Sequence, residues 1–126
     1  MTRILVVEDE QANLATIRDL LNFEGYEVLE ARNGRDGVEV ATANKPDIIL
    51  LDMRMPEMDG YEVARQLKTG PETKEIPIIA LTGNAMDEQR REAMDAGCDD
   101  FIAKPVDFDN LLDRITVALK VNDGVG

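Results

Sequence analysis

Five polar side chains able to do chemistry stand where apolar runs end. Glu8 and Asp9 follow "RILVV" (3–7), Asp52 follows "DIILL" (47–51), Thr82 follows "IPIIAL" (76–81) and Lys104 follows "DFIA" (100–103). A carboxylate can attack phosphorus or ligate a cation, a hydroxyl can hydrogen-bond an oxyanion, and an ammonium can neutralise one. Each taken alone is ordinary, because strands end at the surface and polar residues belong there. The set is harder to dismiss, since the remaining run, "EVLEA" (27–31), ends on Ala31 and Arg32 and adds no comparable group. If the ends converge, two carboxylates ~4 Å apart at an effective dielectric of about 20 repel by about 4 kcal/mol, so Glu8, Asp9 and Asp52 require a cation or a shared proton. The chain has no histidine and a single cysteine. The donors are therefore all oxygen, which points to a hard ion, Mg²⁺ above all.

Whether those ends converge depends on the fold. The five runs are short and rich in Val, Ile and Leu, as strands buried on both faces are. Between them the period is helical. Leu14, Ile17 and Leu21 recur before Gly25, a C-terminal stop; Asp59 and Glu62 form a candidate capping box ahead of Val63 and Leu67. Asp107 is placed as the N-cap of a last helix whose apolar face is Phe108, Leu111, Leu112, Ile115 and Leu119. Strands alternating with helices imply an α/β fold, a doubly wound five-stranded parallel sheet with five helices on its two faces. In such sheets ligands bind beyond the carboxyl ends of the strands, where the strand order reverses. That rule gathers Glu8, Asp9, Asp52, Thr82 and Lys104 at one edge.

Composition narrows the function. A chain of 126 residues with 44% hydrophobic and 32% charged residues fits one domain that buries roughly two-thirds of its unfolded surface. The expected organisation is a single domain over 1–126, its core about 3–120, with no repeat, linker or output domain. A net charge of -12 repels phosphate backbones and anionic headgroups, so neither nucleic acid nor membrane is an expected partner. No apolar run approaches the roughly 20 residues of a spanning helix and no signal-peptide core follows Met1, which makes the expected location cytoplasmic. Without histidine there is no Ser-His triad and no phosphohistidine. Cys98 cannot form an internal disulfide.

The motifs "VVEDE", "LLDMRMPEMDG", "ALTGNA" and "FIAKP", with 43 residues from Asp9 to Asp52, 30 to Thr82 and 22 to Lys104, resemble the receiver domains of bacterial two-component response regulators. The resemblance covers about residues 3 to 120 and is closest to stand-alone, single-domain regulators of the DivK type or to the receiver of a hybrid kinase. It implies the strand order 2-1-3-4-5. It also implies that Asp52 is the phosphoryl acceptor, fed by a histidine kinase or phosphotransfer protein, with Thr82 and Lys104 completing the catalytic set. Mg²⁺ would be held by Asp9, Asp52 and the backbone carbonyl of Arg54, with Glu8 acting mainly through water. Thr82 and Phe101 would form the switch, a cis Lys104-Pro105 bond would aim the lysine into the pocket, and the signal would leave through the face of the fourth helix, fifth strand and fifth helix. The chain would catalyse only its own phosphorylation and dephosphorylation, as a monomer or weak homodimer. Arg54 and Asn84 occupy positions that tune acyl-phosphate lifetime in the family.

Bland readings stand beside these. Phe101, without a tyrosine hydroxyl, is as well explained by core packing; Met53, Met55 and Met58 read as packing around the acceptor loop; Cys98 reads as a small buried hydrophobe with redox sensing as the lesser reading. An aspartyl-phosphate phosphatase would need a second Asp where Arg54 stands, and a flavin phosphate loop would meet the acidic "EDEQAN", which repels phosphate unless a metal intervenes. The remaining alternative is a phosphorylation-independent interaction module on the same fold, which is expected to lack one of Asp52, Thr82 and Lys104.

Overall fold

The computed structural model describes residues 1–83 and 87–122. Five strands alternate with five helices: β1 (Arg3–Val7), α1 (Gln11–Phe23), β2 (Glu27–Ala31), α2 (Gly34–Asn44), β3 (Ile48–Asp52), α3 (Gly60–Thr69), β4 (Ile78–Thr82), α4 (Asp87–Asp95), β5 (Asp100–Ala103) and α5 (Phe108–Asn122). All pair in parallel in the order β2-β1-β3-β4-β5. The order reverses between β1 and β3, which makes their carboxyl ends the topological switch point.

Alternation along the strands divides the core. Ile4, Val6, Ile48, Leu50, Ile79, Leu81 and Ile102 face α1 and α5, meeting Leu14, Ile17, Leu21, Leu111 and Ile115. Leu5, Val7, Ile49, Leu51, Ile78 and Ala80 face the other way, onto Ala41 of α2, Val63, Ala64 and Leu67 of α3 and Ala93 of α4. Both sides of the sheet are covered, so the runs are continuous rather than alternating. Burying each large aliphatic contributes roughly 1.5–3 kcal/mol, and the sheet residues named here are essentially inaccessible to solvent.

Element ends follow local chemistry. α1 closes in a Schellman motif: the Tyr26 N–H donates to Leu21 O, the Gly25 N–H donates to Asn22 O, and Gly25 takes φ +94°. Asp59 caps α3 by accepting the Glu62 N–H at 3.0 Å, but the reciprocal half of the capping box is missing because the Glu62 carboxylate accepts from Gln66 Nε2 instead. Asp107 Oδ1 accepts the Asp109 and Asn110 N–H groups at the start of α5. Two strand starts and one core residue differ from the sequence reading. β3 starts at Ile48, because the Asp47 carboxylate accepts the Arg3 N–H at 2.8 Å and closes the corner. β4 starts at Ile78, since Pro77 has no N–H for the ladder and Ile76 donates to Thr73 O in the preceding turn. Phe108 does not join the buried face of α5; it is 38% exposed.

Candidate functional site

At the switch point, the first residue after β1 is buried by an extension of the ladder. The Glu8 N–H donates to Ala31 O at 3.0 Å, and its carboxyl group is 1% exposed in company with Asp52 at 3%. Asp52 is itself the last residue of β3, in register with Leu81 of β4. The next residue, Met53, donates its N–H to Leu81 O, and its carbonyl accepts the Gly60 N–H, so the acceptor loop is tied to β4 on one side and to the start of α3 on the other. A Cβ on Gly60 would lie 2.5 Å from Met53 Cα and 2.7 Å from Asp52 O. Glycine is needed there for close approach rather than for a turn.

Lys104, just beyond β5, closes the group. Its Nζ lies 3.2 Å from Glu8 Oε1 and 3.2 Å from Asp52 Oδ1. Its backbone N–H donates to Thr82 O at 2.7 Å, and the Lys104-Pro105 bond is cis. Backbone donors finish the carboxylates: Arg54 N–H to Asp52 Oδ1 at 3.1 Å and Glu10 N–H to Glu8 Oε2 at 3.3 Å. Thr82 is 6% exposed at the end of β4. Oxygens of Glu8, Asp9 and Asp52 lie within 4.8 Å of one another, with Asp9 the more accessible of the three.

This crowding shifts proton affinities. Burial, and then the hydrogen bond and negative charge of Asp52, push the Glu8 carboxyl from its ordinary 4.5 up to about 7, against the opposing pull of the Glu10 N–H and Lys104. Burial alone would depress the Lys104 ammonium. Asp52 and Glu8 more than offset it, and Lys104 holds its proton more tightly than a free lysine. An oxygen-only donor set carrying three carboxylates against one ammonium suits a hard divalent cation, and the Arg54 backbone is already drawn in beside Asp52.

Two contributions were not evident from the sequence. Arg32, set aside as the end of a strand with no group to offer, reaches across: Nη2 donates to Asp9 O at 3.4 Å and Nη1 to Gln11 Oε1 at 3.1 Å. Beside Glu8 and Lys104, a cavity of about 520 Å³ opens between α1 and the β5–α5 connection, lined by Asn13, Thr16, Ile17, Pro105, Val106 and Phe108. Phe108 leaves the core to form part of that wall. In the chain the only hint was its place next to the N-cap, where a side chain lies over the helix end.

Away from the pocket, Phe101 pairs with Ala80 and sits two register positions before the Thr82–Ala103 pair, on the same side of the sheet. Its half-buried ring carries the Arg90 guanidinium 4.4 Å from the centroid. On the opposite face of β5, the α5 side, Arg114 pairs with Asp100 at 3.2 Å. Met53 and Met55 are buried in the core beside α3, with Met58 packed against them. Cys98 is buried too, and its thiol is pushed up to about 12 by burial and then by Asp99, which suits packing and not a reactive thiolate. Asn84 lies outside the described residues. Among those described, no helix is long and apolar enough to cross a membrane.

The family model of the response regulator receiver domain matches residues 4–116. The chain is 36% identical over 112 residues to the polar-differentiation response regulator DivK of Brucella anthropi, covering 89% of this chain and 91% of that one. A CheY-like receiver domain protein from Methanospirillum hungatei superposes with a TM-score of 0.92 at 31% identity over 100% of this chain and 99% of its own. The receiver domain of the sensor histidine kinase PA1611 from Pseudomonas aeruginosa, with a magnesium ion coordinated in its active site cleft, matches with a TM-score of 0.88 at 34% identity, covering 94% and 97%.

Proposed function

The chain belongs to the response regulator receiver domain family, and from that premise we propose that it is a switch in which Asp52 accepts a phosphoryl group from a histidine kinase or phosphotransfer protein and the phosphorylated form regulates partner proteins. The observation that carries this reading is Lys104 Nζ placed 3.2 Å from both Asp52 Oδ1 and Glu8 Oε1, with both carboxylates buried. An ammonium held there neutralises the pair before reaction and is within reach of a phosphoryl oxygen once one arrives.

In the transfer, an Asp52 carboxylate oxygen forms a bond to phosphorus as the donor's P–N bond breaks, and the imidazole leaves with the electron pair. Lys104 follows the charge from carboxylate to phosphoryl oxygen, and the Thr82 hydroxyl donates to another of those oxygens. Mg²⁺ held by Asp9, Asp52, the Arg54 carbonyl and, through water, Glu8 would supply further positive charge to the phosphoryl oxygens. The acyl phosphate is later cleaved by water, so the chain acts only on itself. The cavity at α1 and the β5–α5 connection adjoins Glu8 and Lys104 and has an apolar wall of Ile17, Pro105, Val106 and Phe108; it is the approach for the phosphodonor protein. Output runs from Thr82 through Phe101 to the face of α4, β5 and α5. The protein acts in the cytoplasm, where such donors expose their phosphohistidine.

The test is direct. Incubated with Mg²⁺ and acetyl phosphate, the protein gains one base-labile phosphoryl group by intact mass; Asp52→Asn gains none, and chelation abolishes labelling. Equal labelling of Asp52→Asn would overturn the assignment, and an unlabelled wild type would favour the phosphorylation-independent interaction module.

A further inference from the structure

Arg90 reaches from an exposed position on α4 to lay its guanidinium 4.4 Å from the centroid of the Phe101 ring. The ring has core on one side, packing against the cluster that includes Ala80, Ala93 and Ala96, and a cation on the other. Its partner across the ladder is Ala80, fully buried and too small to fix the ring's rotamer. Phe101 has no hydroxyl, so a charged residue on α4 can hold it only through its face. A guanidinium is suited to that, being planar and weakly hydrated. A ring that turns further inward toward Thr82 leaves the guanidinium behind.

We propose that Arg90 is a latch on Phe101, a stacking contact that stabilises the half-buried ring against turning further inward and thereby sets how much of the unphosphorylated protein already occupies the active arrangement. The inference rests on the phosphoacceptor reading above and adds to it a residue outside the pocket that determines its sensitivity. An exposed stack of this kind shifts a two-state equilibrium by about two- to fivefold. While the half-buried form predominates, the same factor appears in the affinity of any ligand that selects the inward form, because the linkage is reciprocal.

The experiment uses the full chain as wild type, Arg90→Gln, Phe101→Leu and the double variant, with two readouts. Three-bond aromatic couplings report the Phe101 χ1 populations without any ligand. An NMR titration with beryllofluoride and Mg²⁺ reports affinity for a phosphoryl mimic. Arg90→Gln is expected to shift χ1 toward the inward rotamer and to tighten beryllofluoride by about two- to fivefold, with no tightening when Phe101 is already Leu. Unchanged χ1 in Arg90→Gln, unchanged affinity, or equal tightening in the Phe101→Leu background would each overturn the latch, the last because it would mark a general charge effect. A wild type that fails to bind beryllofluoride would instead overturn the phosphoacceptor reading and the regulatory part of this inference with it; the χ1 comparison stands apart from that ligand and still decides whether Arg90 holds the ring.

Discussion

Glu8 is the residue on which the electrostatics of the pocket turn. Its carboxyl is raised from 4.5 to about 7 by burial and by Asp52, so the folded protein binds a proton there that the unfolded chain has released. The sign follows from linkage: protonated Glu8 stabilises the fold fully below the unfolded value, and the benefit is lost as pH rises through about 7. For metal-free protein the loss is of order 3 kcal/mol. Urea unfolding in chelator at about pH 5 and about pH 8 should therefore show the wild type losing stability at the higher pH, and Glu8→Gln losing much less of it; equal losses would contradict the raised pKa. At this scale the meeting of Glu8, Asp52 and Lys104 at one sheet edge was legible, because polar groups ending several apolar runs together are informative where any one of them is ordinary. The contact from Arg32 to the Asp9 carbonyl was not. Nothing in a strand end tells which way a long side chain will reach.

The elements act by where they stop. β3 ends on Asp52 and β4 on Thr82 in neighbouring registers, while the Lys104 N–H donating to Thr82 O ties β5's exit to the same edge. The alternation of strands and helices was readable from apolar period alone. The exact starts of β3 and β4 were not, since they depend on a carboxylate corner at Asp47 and a missing donor at Pro77. Glu57, in the left-handed region at φ +68°, was equally silent, because a residue type that tolerates that conformation poorly gives no signal for it. α5 offers a test of the division between core and docking wall. Leu111→Ala, at a fully buried position, should cost about 2–5 kcal/mol of stability, whereas Phe108→Ala should cost about 0.5 kcal/mol or less and yet slow phosphotransfer from a histidine kinase while leaving labelling by acetyl phosphate unchanged. Parallel slowing with both donors would place Phe108 in the chemistry instead of the docking wall.

As a whole the molecule is a strongly acidic, doubly wound sheet, with net charge -12 and a polar pocket in which buried carboxylates meet a lysine. On the proposed reading its output is carried by a shift between two arrangements, which a phosphoryl group at Asp52 would bias through Thr82. Thr82→Ala should still accept phosphate at Asp52 but lose most of the partner's preference for the phosphorylated form, a preference expected at about 5- to 150-fold; a variant that keeps that preference would exclude Thr82 from the coupling. At the atomic level the proposed switch requires that phosphate be carried by Asp52 and not by its buried neighbour Glu8 or by Asp9. Borohydride reduces an acyl phosphate to the alcohol, so trapping the phosphorylated protein and sequencing its peptides by mass spectrometry should find homoserine at position 52 and unaltered acids at positions 8 and 9; a reduced side chain at either of those, or none at 52, would contradict it.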